Sequence, residues 1–437
     1  MATNKSSHHE KSAGEGMLEE KVSRRQMLQM MGIGGAGLLL GAGGMGFLSA
    51  KGAAGSTLFA ASQKKENDIL PFYGTYQQGI TTTPQDFLHF AAFDVVAKQR
   101  DDVKKLLQIW TEAAARMSQG KTVGPETDHP YLPPTDTGEA IGLAPSRLTF
   151  TFGVSPTLFT QDGTDRFGLA GKRPAPLIDL PAFAGDDLQP EWCGGDIGVQ
   201  VCANDPQVAF HAIRNLVRVA RGLAVLRWSQ TGFQRTERAA EEPGTPRNLM
   251  GFKDGTGNPN TEDQAEMNQT VWVQPGDQPS WMGNGSYMVV RRIRMRIEEW
   301  DRATLQDQEV TFGRYRHSGA PLGAAKEFDP LDLEKKNEKG EKAIPANAHV
   351  RLAHGDGKVK ILRRSYSYTN GIDPKTGKID AGLFFVAFQR DPRTQFVPMQ
   401  RRLAGDALNE YIVHVGSAIF ACLPGVPEGG YIGQHLF

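Results

Sequence analysis

The sequence is short of cysteine, of net charge and of internal repetition. Its 437 residues hold three cysteines, Cys193, Cys202 and Cys422, and no C-x-x-C pair. An odd, scattered set speaks against a disulfide framework and against a zinc site. Lys plus Arg and Asp plus Glu each number 49. With no net charge there is no global field to draw in nucleic acid or an anionic membrane. No long repeat is visible at the residue level. A hydrophobic fraction of 39% with 22% charged residues is ordinary for a soluble globular protein. The length suffices for two or three domains.

The first 62 residues read as an address. Residues 1 to about 16 are polar and are expected to be disordered. Ser23-Arg24-Arg25-Gln26-Met27-Leu28 follows, then a Gly- and Ala-rich apolar run from Met30 to Ala50. A twin arginine, a weakly apolar stretch and a small-residue end form a Tat-type export signal. The alternative is a membrane anchor, because the run reaches the roughly 20 residues a bilayer needs. Tat export carries folded proteins, often with a cofactor already inserted. The Tat translocase is therefore an expected partner. The mature chain is expected in the periplasm, on the outer face of the cytoplasmic membrane, or secreted.

The mature part reads as an α+β chain. Phe90–Val96, Leu148–Phe152, Ile197–Cys202 and Val225–Trp228 have strand character. Asp101 to about Gln119 has helical spacing, with Gly120 as a stop. A second helix opens at Asp205-Pro206 and runs to Val219. That order is the ferredoxin-like βαββαβ unit. The theme recurs after the middle. Tyr287–Ile297 puts Ile293, Met295 and Ile297 on one face and Arg292, Arg294 and Arg296 on the other. Lys326–Lys342 looks like a solvated excursion. Leu383–Phe388 reads as a strand, Arg401–Tyr411 as a helix and Ile419–Leu423 as a last strand. The expected architecture is duplicated ferredoxin-like domains, residues 69–242 and 243–437, with antiparallel sheets enclosing a ligand.

Two stretches carry chemistry. Gly251–Asn258, GFKDGTGN, sets Asp254 among three glycines. Glycine lets a flat ligand approach closely, so the carboxylate can be aimed. A plain turn between two strands fits the octet equally well. Downstream, His349-Val350-Arg351-Leu352-Ala353 precedes Arg363-Arg364-Ser365-Tyr366, with Arg363 fourteen positions after His349. A histidine in a short apolar setting can be an axial iron ligand. Any one of ten histidines is more often an ordinary surface or core residue.

Together these stretches resemble the dye-decolorizing peroxidases, in particular the Tat-exported deferrochelatase/peroxidase branch linked to ferrous-iron uptake. The resemblance runs from Phe72-Tyr73-Gly74 to Leu423-Pro424-Gly425. It includes Gly251–Gly255 as G-x-x-D-G, Phe312-Gly313-Arg314, Gly319–Gly323, the His349 block, Arg363–Tyr368 and Gln400–Leu403. It departs at His354-Gly355-Asp356, where the family usually has Asn-Pro, and at Ser365, where some relatives have Asn. The resemblance implies haem b (iron protoporphyrin IX) between the sheets, with His349 as the metal ligand. Asp254 and Arg363 would be catalytic on the opposite face. Gly255, Thr256, Gly257, His354, Gly355, Asp356 and Arg363 would line the cofactor. It implies reduction of hydrogen peroxide at the expense of a one-electron reductant, with iron release from haem as a further activity. A non-enzymatic haem-binding or iron-uptake partner protein is the alternative. Implied partners are ferrous-iron uptake components and further copies of the chain, and no nucleic acid.

Those residue types suit the reaction. Splitting the peroxide O–O bond needs a proton moved between its oxygens and a cation for the developing charge. An ordinary Asp titrates near 3.9 and an ordinary His near 6.5. An aspartate base would therefore favour acidic conditions, and an adjacent Arg363 would hold it ionised.

Overall fold

The computed structural model describes residues 68–437 except 237–238, 240–243 and 278. The twin-arginine leader lies outside the described residues, as do residues 242 and 243 at the expected domain boundary. Among the described residues no helix is long and apolar enough to cross a membrane.

The first half runs β1 (Phe87–Val95), α1 (Arg100–Ser118), β2 (Thr149–Val154), β3 (Ile197–Ala203), α2 (Pro206–Val219) and β4 (Ala224–Phe233). β1 lies antiparallel between β3 and β4, and β2 lies beyond β3. α1 forms because Val103, Leu106, Leu107, Trp110, Ala114 and Met117 recur on one buried face. Asp101 and Asp102 in its first turn and Arg116 in its last suit the helix dipole. It stops where Gly120 takes φ +70° and donates to the Met117 carbonyl at 2.8 Å. α2 begins at Pro206 because the Asp205 carboxylate accepts from the Gln207 and Val208 N–H groups. Trp110 Nε1 ties the two helices by donating to the Leu216 carbonyl at 2.9 Å.

The second half runs α3 (Gln264–Thr270), β5 (Ser286–Met295), α4 (Leu305–Phe312), α5 (His349–His354), β6 (Leu362–Arg363), β7 (Tyr366–Ile372), β8 (Ile379–Gln389), α6 (Phe396–Arg402) and β9 (Ile412–Cys422). β5 lies antiparallel between β9 and β8, and β7 lies beyond β8. The expected helix over 401–411 is not one helix. α6 ends at Arg402, and short 3-10 turns follow, the second capped by the Asp406 side chain. α4 and α5 are too short to leave a periodic signal.

The halves share one nine-stranded sheet in the order β5-β9-β2-β3-β1-β4-β7-β8-β6, and the β5–β8 pairing closes it on itself. β2 meets β9 at Gly153↔Cys422 and Val154↔Ala421, and β4 meets β7 at Phe233↔Ser367. Phe90, Trp228, Tyr366, Phe384 and Phe420 fill the space between the halves. Glycine is required there: a Cβ on Gly198 would sit 2.8 Å from the Phe420 ring, and one on Gly153 2.7 Å from the Phe420 Cβ.

Of the arginine face expected on β5, Arg292 looks into this closed space, Arg294 is half-buried and Arg296, just past the strand, is exposed. Arg292 is 3% exposed. Its guanidinium lies 4.3 Å from the Trp192 ring centroid and 4.4 Å from that of Tyr368. It bonds to Gln230 at 2.9 Å and Asp380 at 2.7 Å. A buried charge persists only when paired and hydrogen-bonded. The opposite face of β5, with Arg291, Ile293 and Met295, borders a cavity together with Leu383 and Phe385 of β8 and Ile412 and His414 of β9.

Candidate active site

The cavity takes in about 1700 Å³ of space, its open mouth included. Asp254, Gly255, Thr256, Gly257, His349, His354 and Arg363 all line it. Six residues besides His349 and Arg363 were expected to line the cofactor; Gly255, Thr256, Gly257 and His354 line the cavity, and Gly355 and Asp356 are not among the lining residues. Gly355 sits at the end of α5 with φ +57°, where a Cβ would come within 2.8 Å of Arg402 Nε. Asp356 is exposed and accepts from the Lys358 N–H at 3.1 Å.

The glycine-rich loop is held rigidly. The Asp254 N–H donates to the Pro246 carbonyl at 2.8 Å. Gly255 takes φ +134°, which only glycine adopts easily. A Cβ on Gly257 would meet no atom within 4 Å. The loop is anchored from below by Glu327, which accepts from Thr256 Oγ1 at 2.9 Å and from Lys253 and Thr245. Burial pushes the Glu327 carboxyl up, but these hydrogen bonds outweigh it and hold it below the usual carboxylate range. Glu327 lies in the run read as solvated. Its neighbours Lys326 and Phe328 are both exposed, so nothing in the pattern marks it.

Arg363 stands on β6 and donates from Nη1 to Asp254 Oδ1 at 2.6 Å. The last residue of the octet, Asn258, clamps its backbone. Asn258 Nδ2 donates to the Arg363 carbonyl at 2.7 Å, and its Oδ1 accepts the Arg363 N–H at 3.1 Å. Ser365 takes no part in the pair; its Oγ accepts from the Val386 N–H at 3.3 Å. Arg314 also lines the cavity. Burial lowers its pKa first, and the nearby Arg363 charge lowers it further, against the pull of Glu327.

His349 opens α5, behind Ala348. Its Nδ1 meets Asp406 Oδ2 at 2.5 Å, and the Asp406 side chain is 2% exposed. Asp406 is itself fixed, because its Oδ1 accepts from the Leu408 N–H at 2.8 Å. Nε2 of His349 has no hydrogen-bond partner among the described residues. A carboxylate on one ring nitrogen is the usual support for a metal on the other. Asp406 was missed in the sequence. The signal was an Asp two residues before Leu408 at the start of a helical turn, a capping pattern that hid its second oxygen's task. His354 lies at the exposed end of α5. His414 is driven down to about 3 by burial and by the Arg291 charge.

This donor set fits haem and not a bare ion. Among the described residues no group of three or more His, Cys, Asp or Glu could hold a metal. One imidazole can bind iron durably only if a macrocycle supplies the other donors. The side chains of Met250, Ile293, Phe312, Val350, Leu383, Phe385, Met399 and Leu403 give such a macrocycle an apolar bed.

Comparison with known proteins agrees on one family. Residues 77–234 match the N-terminal model of the Dyp-type peroxidases and residues 245–427 the C-terminal one. A dye-decolorizing peroxidase of Thermobifida fusca is 43% identical over 375 residues, 82% of this chain and 83% of that protein. A deferrochelatase of Shigella flexneri is 38% identical over 423 residues, 95% of this chain and 96% of that one. The solved structure of ferric DtpA from Streptomyces lividans superposes with a TM-score of 0.78 at 40% identity, covering 85% of this chain and 98% of its own. The DyP-type peroxidase of Cellulomonas bogoriensis gives 0.76 at 39% identity, covering 84% and 98%. With both halves matched and relatives this similar over most of their length, the chain belongs to the Dyp-type peroxidase family.

Proposed function

We propose that the chain is a haem b peroxidase that reduces hydrogen peroxide beside Asp254 and Arg363 and oxidises one-electron donors. One observation carries the reading: a single cavity is lined by a carboxylate-backed histidine and, separately, by a carboxylate–guanidinium pair. His349 Nε2 would hold the iron. Asp406, taking the Nδ1 proton in a hydrogen bond, would raise the basicity of that ligand. Haem supplies the two electrons that split the O–O bond. Asp254 would accept a proton from the nearer peroxide oxygen and hand it to the farther one, which leaves as water. Arg363 would stabilise the charge developing on that oxygen. The strand orders β4-β1-β3-β2 and β9-β5-β8-β7 support reading the halves, 69–242 and 243–437, as two ferredoxin-like units.

The test is an absorbance spectrum of the purified protein before and after peroxide, followed by oxidation of a dye. A haem band that responds to peroxide, with dye turnover, is expected. A haem band without any response leaves only the carrier reading. The likeness to proteins named deferrochelatase favours iron release as a second activity of the same pocket. Its mark is free protoporphyrin fluorescence rising as bound haem falls.

The Asp406 contact gives a graded prediction. Asp406→Asn should weaken haem binding about 10- to 100-fold, as loss of a supporting carboxylate usually does. Haem transfer to an acceptor apoprotein measures it. An unchanged transfer rate would remove Asp406 from the cofactor site.

Export by the Tat route is proposed from Ser23-Arg24-Arg25. Replacing both arginines by lysine should stop export and leave folded, haem-loaded protein in the cell. Fractionation of the producing cells reads this out, and unchanged export of the double variant would rule the Tat route out.

A further inference from the structure

Beside the cavity lies a second hollow of about 1910 Å³, its open mouth included. The two share Asp254, Gly255, Arg363 and Leu383, so this vestibule borders the carboxylate–guanidinium pair. Among the described residues its walls carry five arginines against two acids, Asp86 and Asp254. Arg147 and Arg235 come from the first half of the chain, and Arg247, Arg363 and Arg364 from the second.

Four of the five guanidiniums are occupied. Arg363 holds Asp254. Arg247 donates to the carbonyls of Gly251, Arg316 and His317. Arg235 donates to the Gly244 carbonyl at 2.9 Å. Arg364 is 3% exposed and donates to the Thr82 carbonyl and to Gln85 Oε1, both neutral. Arg147 is half-buried, and among the described residues its guanidinium makes no hydrogen bond or ion pair.

The backbone holds Arg147 in place under strain. Ser146 and Arg147 both take φ +54°, a left-handed conformation uncommon for residues other than glycine. The Arg147 N–H donates to the Asp68 carbonyl at 2.8 Å, and the Ser146 carbonyl accepts from the Asn204 N–H at 2.7 Å. The Arg147 carbonyl accepts from Gln85 Nε2 at 2.7 Å. Gln85 is itself buried, so one amide fixes both Arg147 and Arg364. Backbone strain kept by surrounding bonds clusters at binding sites.

We propose that the vestibule binds the carboxylate of a small phenolic donor, and that Arg147 takes that carboxylate. The proposal rests on the haem peroxidase reading above and adds the class of donor. Hydrogen peroxide is neutral and gains little from an excess of fixed positive charge. The reactant that gains is the donor. A guanidinium with unused N–H groups suits a carboxylate, on which it can make two parallel hydrogen bonds. Arg364, with no carboxylate bonded to it among the described residues, strengthens the field at the same place. One peroxide and two such phenols give two waters and two phenoxyl radicals, each phenol losing one electron and its O–H proton.

The test uses the full haem-loaded chain with two donors that share one ring, caffeate and its uncharged methyl ester, at a pH where caffeate is ionised. Arg147→Gln removes the charge, and the lost side chain leaves no bond broken. It should raise the KM for caffeate about tenfold, the loss expected of one hydrogen bond to a charged group, with little change in kcat. The KM for the methyl ester should stay within about twofold. Arg147→Lys should recover most of the affinity for caffeate. Added salt should raise the KM for caffeate more steeply in the parent than in Arg147→Gln. An equal change for both donors, or parental KM values for both in Arg147→Gln, overturns the carboxylate site alone. No response of the haem band to peroxide in the parent overturns the peroxidase reading and the site with it.

Discussion

Asp254→Asn and Arg363→Leu should each leave haem bound and slow the peroxide-induced change in its absorbance by roughly a hundred- to ten-thousand-fold. That is the usual loss when a proton shuttle is removed, and loss of a preorganised cation at a charge-developing oxygen is of similar size. The geometry says why the effect should fall on rate and not on folding. The two side chains are 23% and 27% exposed. Breaking an ion pair that water can reach costs about 0–1 kcal/mol of stability. The loop keeps its shape in either variant, because Glu327 still holds Lys253 and Thr256, and Asn258 still grips the backbone of residue 363. Since the two groups act on one proton transfer, the double variant should be little worse than the worse single one. Stopped-flow absorbance with peroxide decides it. If both single variants react at the parental rate, the octet is a haem-lining turn and the proton is moved elsewhere.

Much of this pair was legible in the sequence, and the reasons are local. Asp254 stands among glycines whose spacing shows in the letters, and Arg363 follows His349 at a fixed interval. The strands of the first half were legible for the same reason: each is short, apolar and bounded by turn residues. What escaped were contacts between residues far apart in sequence. Glu327 reaches Thr256 across 71 positions, and Asp406 reaches His349 across 57. Neither partner sits in a pattern that advertises the other. Arg292 shows a subtler limit. Strand alternation gave its face correctly, but alternation cannot say whether a polar face meets water or the closed space between two halves. Only the β5–β8 and β2–β9 pairings decide that. The 401–411 segment failed for another reason: apolar residues at helical spacing persist through Asp406, where the capping side chain breaks the helix into separate turns.

His349→Ala should yield a folded protein that holds almost no haem. The cavity's apolar walls remain in the variant, so haem can still partition into it weakly. What would be lost is the proposed iron bond, together with the Asp406 contact that orients the imidazole. Two other histidines border the cavity, and neither is placed to take over. His354 is exposed at the end of α5, with no carboxylate partner among the described residues. His414 lies 4.0 Å from Asp186, beyond a hydrogen bond, and the buried Arg291 charge beside it opposes a second cation nearby. Removing the imidazole leaves the buried Asp406 carboxylate with the Leu408 N–H as its partner. An orphaned buried acceptor costs about 1–3 kcal/mol, which a chain of this size should survive with its secondary structure intact. Circular dichroism and haem titration of the same sample therefore separate the two effects. An unchanged dichroism spectrum with haem affinity reduced by orders of magnitude is the expected pair of results. Full occupancy with a normal ferric spectrum would show that another residue carries the iron, and His354 would be the first to replace.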